Sequence, residues 1–141
     1  MAAATAINCK EKQMGTFYTE CLLENYQNRT RSIRVPRLLV DTGSECSWIQ
    51  EQRLEQAGIT PEKKRRFVIT NGEVVTRPVG YAIIYVSNSS TVDEIVFAQK
   101  DDMELLGART MEGLNLLVDP ANKKLIDGGP MLAATPVLVN D

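Results

Sequence analysis

Apolar residues in this chain fall in short runs separated by clusters of Gly, Pro, Asn, Asp and Ser, a spacing that predicts many short strands rather than long helices. Residues 17–23 predict a first strand and the polar stretch 25–32 a turn. Residues 33–40 predict a second strand that runs straight into Asp41, Thr42 and Gly43. Residues 44–49 lead away from that turn. Residues 50–57 have helical composition, with Gly58 as the stop and Pro61 shortly after. The clearest hairpin spans residues 67–75, where Phe67, Val68 and Ile69 precede Asn71-Gly72 and Val74 and Val75 follow. Asn-Gly supplies the positive φ angles that a tight two-residue turn requires. A further strand over 81–86 turns at 87–90 and returns over 91–98. Leu105, Leu106 and Gly107 form a short apolar element before a one- or two-turn helix over 109–112, stopped by Gly113. A second hairpin pairs 114–118 with 123–126 across the turn 119–122. Residues 1–14 read as a flexible leader and 128–141 as a flexible tail, which leaves one domain over 15–127. The fold class expected is all-β, a small barrel with one or two short helices.

Composition narrows the function. The chain has 141 residues, 43% hydrophobic and 24% charged, which is enough for one globular core. A net charge of −2 argues against a nucleic-acid partner. Two basic stretches, Arg29, Arg31, Arg34 and Arg37, then Lys63, Lys64, Arg65 and Arg66, have no aromatic residues between them and read as solvated strand edges or loops. No apolar run approaches the ~20 residues of a membrane span, so no membrane partner is expected. Residues 1–7 lack the basic and apolar regions of a signal peptide, so the sequons at Asn28 and Asn88 read as chance. Cys9, Cys21 and Cys46 are odd in number and lack Cys-X-X-Cys spacing, which fits a reduced, cytoplasmic setting.

The chain contains no histidine. Ser-His and Cys-His nucleophile pairs are therefore excluded, as are His-containing zinc sites, and no metal or cofactor is called for. Cys46, close to Asp41, reads as a small buried side chain, and Trp48 as a core residue behind the Asp41 loop. Hydrolytic chemistry, if present, falls to carboxylates. Asp41 stands out because Leu38, Leu39 and Val40 deliver it at the end of an apolar strand, followed by Thr42, Gly43 and Ser44.

The ordered set of a strand, Asp41-Thr42-Gly43-Ser44, the Asn71-Gly72 hairpin, Leu105-Leu106-Gly107 and a short helix resembles the retropepsin-like aspartic proteases over about residues 17–126. The resemblance implies a closed acid-protease barrel and catalytic residues Asp41, Thr42, Gly43 and Ser44. Two carboxyls held close share one proton, and a water between them is activated by one while the other donates to the peptide carbonyl, which places activity on the acid side of neutral. The chain carries no second Asp-Thr/Ser-Gly, so the resemblance implies a homodimer in which Asp41 of each subunit meets on the two-fold axis. Thr42 would reach across to the partner turn, Gly43 would allow close backbone approach, and the Ser44 hydroxyl would bond Asp41. The hairpin becomes a flap over an extended peptide or unfolded protein substrate, with Ile69, Thr70, Asn71, Gly72, Glu73 and Val74 as its contacts. Ile69, Val74 and Leu106 would form apolar pocket walls. Glu45 lies where viral members place an acid that pairs with arginine, and Arg109 falls one residue later than the viral partner. The 114–126 hairpin is longer than the viral terminal strand. It is similar to that of the cellular domains in ubiquitin-shuttle proteases and of single-domain bacterial relatives, in which the extra strand enlarges the dimer interface. The alternative function is a catalytically silent relative that binds peptides or dimerises without cleaving.

Overall fold

The computed structural model describes residues 16–134. Within them the apolar runs become β1 (Tyr18–Glu24), β2 (Ser32–Val40), β3 (Ser47–Gln50), β4 (Lys63–Val68), β5 (Val74–Val86), β6 (Ser89–Ala98), β7 (Leu105–Leu106), β8 (Leu116–Asp119) and β9 (Lys124–Asp127). Two short helices, α1 (Glu51–Gln56) and α2 (Ala108–Leu114), complete the fold. The all-β expectation holds. The leader at 1–14, with Cys9, and the tail from 135 on lie outside the described residues.

The strands run in the order β1-β2-β7-β3-β6-β5, and β1 pairs back onto β5, which closes a ring. Closure removes the exposed edges that an open sheet would present. β5 is the hub, because Val79 pairs with Lys63 of β4 on one edge and with Val96 of β6 on the other. Ile83, Ile84 and Tyr85 then pair with β1 on the edge that β4 has left. Among the described residues β4 has β5 as its only strand partner, so within them it projects from the ring with one free edge. Leu23, Val35, Leu38, Ile49, Leu54, Ile84, Ile95 and Leu106 fill the interior and are fully buried. Truncating any of the leucines or isoleucines among them to Ala would cost about 2–5 kcal/mol.

A bulge in β2 decides which way the strand delivers Asp41. Thr19 pairs with Leu38 but Cys21 pairs with Val35, so β2 carries one extra residue around Pro36-Arg37. Proline has no N–H to donate and is tolerated at such a break. The phase of burial flips there: Val35 faces the core before the bulge, Leu38 and Val40 after it. Without the flip, Arg37 and Leu39 would point inward.

Three local expectations need correction. The strand expected at 81–86 is continuous with the flap strand. Pro78 lies just before Val79, where pairing with β6 begins, so its missing N–H interrupts no β6 ladder. Gly80 is required by space, since a Cβ there would lie 2.6 Å from the Thr60 carbonyl oxygen. The flap turn has three residues, not two. The Gly72 N–H bonds the Ile69 carbonyl (2.8 Å), Ile69 N–H bonds that of Glu73 (2.9 Å), and only Gly72 has a positive φ, +87°. Finally, Gly113 does not stop α2, which runs through it to Asn115 at φ 55°. A Cβ on Gly113 would lie 2.5 Å from the Thr91 hydroxyl, so the glycine lets α2 press against β6. Asn115 accepts from the Gly128 N–H (2.8 Å) and donates to the Gly129 carbonyl (2.7 Å), which ties the end of α2 to the chain beyond β9.

The stop at Gly58 is as expected, with φ +72°. Asn25 donates to both the Ala57 and Gly58 carbonyls at 3.0 Å, and Arg31 donates to Gln56 O at 2.9 Å, so the β1–β2 loop satisfies the orphan carbonyls of α1.

Candidate active site

Asp41 leaves β2 between two supports. β7 runs parallel to the end of β2, with Leu39 opposite Leu105 and Val40 opposite Leu106. The Asp41 N–H then donates to the Leu106 carbonyl at 3.0 Å. The carboxylate is held locally, since Oδ1 accepts the Gly43 N–H at 2.9 Å and the Asp41 carbonyl accepts the Ser44 N–H at 3.2 Å. Gly43 has no left-handed φ, so its constraint is steric: a Cβ would sit 3.2 Å from Asp41 Oδ1 and crowd the carboxylate. Thr42 is exposed, and its hydroxyl has no partner among the described residues.

The Ser44 hydroxyl does not bond the Asp41 carboxylate. It donates to the Cys46 carbonyl at 2.9 Å, because the turn carries it past the carboxylate and Gly43 already occupies Oδ1. The loop is fastened from behind by α2, whose first free amides find carbonyl partners there. The Ala108 N–H donates to Ser44 O (2.7 Å) and the Arg109 N–H to Glu45 O (3.0 Å). A Cβ on Gly107 would lie 2.4 Å from the Cys46 carbonyl oxygen, so only glycine lets this turn stack on the loop. The Glu45–Arg109 side-chain pair is absent. The Arg109 guanidinium instead lies 4.0 Å from both Cys46 Sγ and Glu94. Burial pushes the Cys46 thiol up, with Arg109 opposing, and pushes the more deeply buried Cys21 to about 12, so neither is a nucleophile.

A buried polar chain that nothing in the sequence announced seats the same turn. The Gly107 N–H donates to Ser47 Oγ (2.9 Å), Ser47 shares a hydrogen bond with Thr110 Oγ1 (2.6 Å), and Thr110 donates to Asp93 Oδ2 (2.8 Å). Ser47 and Thr110 are both fully buried.

Asp41 borders a cavity of about 350 Å³ whose walls include Trp48, Val68, Ile69, Thr70 and Leu105. Ile69 and Thr70 therefore border the same cavity as the carboxylate. Asn71, Gly72 and Glu73 form the flap tip beyond it, where the Asn71 side chain accepts the Glu73 N–H at 2.9 Å. Val74 does not border the cavity and is 51% exposed. Leu106 is no pocket wall, being fully buried in the core, and its neighbour Leu105 takes that place. Trp48 is nearly buried, as expected, yet it also borders this cavity and packs on Phe67 of β4 at 5.0 Å between ring centroids.

Asp101, Asp102 and Met103 complete the cavity and were not anticipated. Asp102 is engaged in two bonds from Arg77 (2.6 and 3.0 Å) and one from the Gln99 N–H (2.8 Å). The Arg77 guanidinium, foremost among these, holds its carboxyl below the ordinary range. That ion pair clamps the base of the flap strand to the 99–104 loop, and Gln50 and Arg53 fasten the loop through Asp102 O and Glu104.

A small closed barrel with an Asp-Thr-Gly turn at the end of an inner strand, and a hairpin bordering the same cavity, is the retropepsin-like architecture. The chain belongs to the aspartyl protease family: a family model of that description matches residues 31–108, more than half of the sequence, from the start of β2 to the first residue of α2. Among solved structures, the retroviral protease-like domain of Ddi1 from Leishmania major has a similar fold, with a TM-score of 0.54 and 12% identity over 82% of this chain and 90% of that one. No curated protein sequence matches the chain. No helix among the described residues is long and apolar enough to cross a membrane.

Proposed function

We propose that the chain is an aspartic endopeptidase that hydrolyses extended peptides or unfolded protein segments as a homodimer. The observation that carries this is Asp41 itself: a strand-end carboxylate in a Thr-Gly-Ser turn, opening into a cavity that the flap residues Val68, Ile69 and Thr70 also border. Asp102 shares the cavity but is committed to Arg77, and Asp101 lies on an exposed turn without a strand behind it. The second carboxyl therefore comes from Asp41 of another copy. One Asp41 carboxylate takes a proton from the water as its oxygen bonds to the peptide carbon. The other, protonated, donates to the carbonyl oxygen, and collapse of the tetrahedral diol returns a proton to the leaving amine. The Gly43 N–H on Oδ1 orients the carboxylate, and the free Thr42 hydroxyl suits a contact with the partner turn. The outer face of the β8–β9 hairpin, with Leu117 56% and Ile126 39% exposed, is an apolar surface suited to a second copy. The free, buried Cys21 and Cys46 suit a reducing, cytoplasmic compartment.

The test is cleavage of a mixed peptide pool between about pH 4 and 7, across a series of protein concentrations. Cleavage by the native chain, specific rate rising with concentration, and loss in Asp41→Asn but not Asp101→Asn is the expected result. Equal output from the native chain and Asp41→Asn would leave a silent peptide-binding domain.

A further inference from the structure

A second cavity of about 350 Å³ adjoins the first and shares Gly43, Ser44, Trp48 and Val68 with it. Its chemistry is the opposite of its neighbour's. Arg65 and Arg66 of β4 and Arg109 of α2 border it, with Glu45 as the one acidic side chain on its wall. The basic run is the solvated strand edge that its composition implies, and because β4 packs Phe67 onto Trp48 that edge lies beside the active-site loop.

The cations differ in how far they are engaged. Arg65 makes two bonds to Glu94 (2.7 and 3.0 Å), and Lys63 pairs with the same carboxylate from the same strand. The hydrogen bond from Arg65, with Lys63 behind it, pulls the Glu94 carboxyl down to about 2 against the opposing effect of burial. The cluster thus keeps one charge state across the range in which paired carboxyls work. Glu94 cannot neutralise all its neighbours. Arg109 approaches it only to 4.0 Å, and Arg66 is exposed with no partner among the described residues. Arg65 itself uses only part of its donor fork. Guanidinium groups held on a strand edge and a helix, with donors unspent, suit a planar anionic acceptor. The wall shared at Gly43, Ser44, Trp48 and Val68 sets this cavity directly beside the one that Asp41 borders, within reach of an extended chain that occupies both.

We infer that the cavity bordered by Arg65, Arg66 and Arg109 is a specificity pocket for an acidic side chain of the peptide substrate, a few residues from the bond that is cut. The inference rests on the endopeptidase function for the word substrate, and on the residues of the cavity for the charge it selects. Asp101 on the neighbouring wall, where Asp102 is already neutralised by Arg77, repels the same side chain, so the two cavities together bias the placement of a charged peptide.

The experiment uses decapeptides with a common apolar centre and Glu, Gln, Lys or phosphoserine at the second, third or fourth residue from it. The native chain should cleave the best Glu peptide about five- to tenfold more efficiently, in kcat/KM, than its Gln congener, and the Lys congener less well still. The ratio should shrink between about 20 mM and about 0.5 M salt. Arg66→Glu should bring the Glu/Gln ratio to about one or below and favour Lys, and Arg109→Gln should reduce it in part. A phosphoserine preference well above Glu would assign the anion as phosphate, and one at or below Glu as carboxylate. Equal cleavage of Glu, Gln and Lys peptides by the native chain overturns the pocket while leaving the peptidase function standing. Binding of the same peptides to Asp41→Asn, read by fluorescence anisotropy, separates the two ideas. If the native chain cuts nothing, a Glu preference in binding that Asp41→Asn/Arg66→Glu loses sustains the pocket, and its absence overturns the pocket too.

Discussion

Thr110→Val deletes one buried hydroxyl at nearly constant volume, and two hydrogen bonds end on that hydroxyl. The direction of the chain is forced, because the Gly107 amide can only donate to Ser47 and the Asp93 carboxylate can only accept from Thr110, so the Ser47 proton points at Thr110 Oγ1. In the variant the hydroxyl-to-carboxylate bond goes, worth about 1.5–3 kcal/mol, and so does the neutral Ser47–Thr110 bond, worth about 1 kcal/mol. Ser47 is fully buried and is left with a proton and no acceptor, whereas half-buried Asp93 can recover part of its loss from water. The expected destabilisation is about 2–4 kcal/mol. Ser47→Ala alone should cost about 1–3 kcal/mol by orphaning the Gly107 N–H. The double variant should fall short of the sum by about 1 kcal/mol, because the shared bond can be lost only once. Urea unfolding at one fixed protein concentration measures all four corners of the cycle, with the midpoint moving and the slope unchanged. A Thr110→Val cost under about 0.5 kcal/mol, or strict additivity, would refute a directional buried chain. Its functional weight follows from position, because Gly107 stacks on the Cys46 carbonyl and the preceding Leu106 carbonyl holds the Asp41 amide.

Gly43→Ala should cut kcat at least about tenfold with a smaller effect on KM, since the added methyl lies 3.2 Å from Asp41 Oδ1 and must turn the carboxylate; single-turnover peptide cleavage checks this. Gly113→Ala, which in an exposed helix would stabilise by about 1 kcal/mol, should here destabilise by about 1–3 kcal/mol because the methyl meets Thr91, and Thr91→Ala should recover part of that loss in thermal melts. Glu94 titrates near 4.5 when unfolded and about 2 when folded. Its stabilisation is therefore complete above about pH 4.5 and lost as pH falls from there toward 2. Solvent screens the half-exposed cations, so the lost stability should be about 1–2 kcal/mol, and Glu94→Gln should flatten that acid limb in pH-dependent urea melts.

Local chemistry was legible wherever one short segment decides the outcome. Leu38, Leu39 and Val40 before Asp41 read as an apolar strand feeding a turn, and they form one. Gly58 ends α1 in the left-handed conformation that its position implied. Asn71-Gly72 marked the hairpin but not its type, because whether two or three residues turn the chain depends on which of Ile69 and Thr70 meets Glu73 across the strands. Where a distant element decides, the sequence carried no signal. Pro78 and Gly80 look like breaks, yet β4 and β6 hold β5 straight through them and the Thr60 carbonyl fills the space a side chain would need. Gly113 looks like a helix stop, but its meaning lies in Thr91 on another strand. Barrel closure by β1 on β5 is likewise invisible in either strand alone. The candidate site divides along the same line. Asp41, Gly43, Ile69 and Thr70 were legible as motif and hairpin, whereas Asp93, Asp102 and the Arg65–Arg66–Arg109 wall are ordinary polar residues until β6, the 99–104 loop and α2 converge on one turn. Ser44 shows why motif membership does not settle a role: in this chain its hydroxyl serves the Cys46 carbonyl, and the bond it was expected to make belongs to the Gly43 amide. Variants at Ser44 should therefore act through the shape of the loop, and variants at Gly43 through the carboxylate itself.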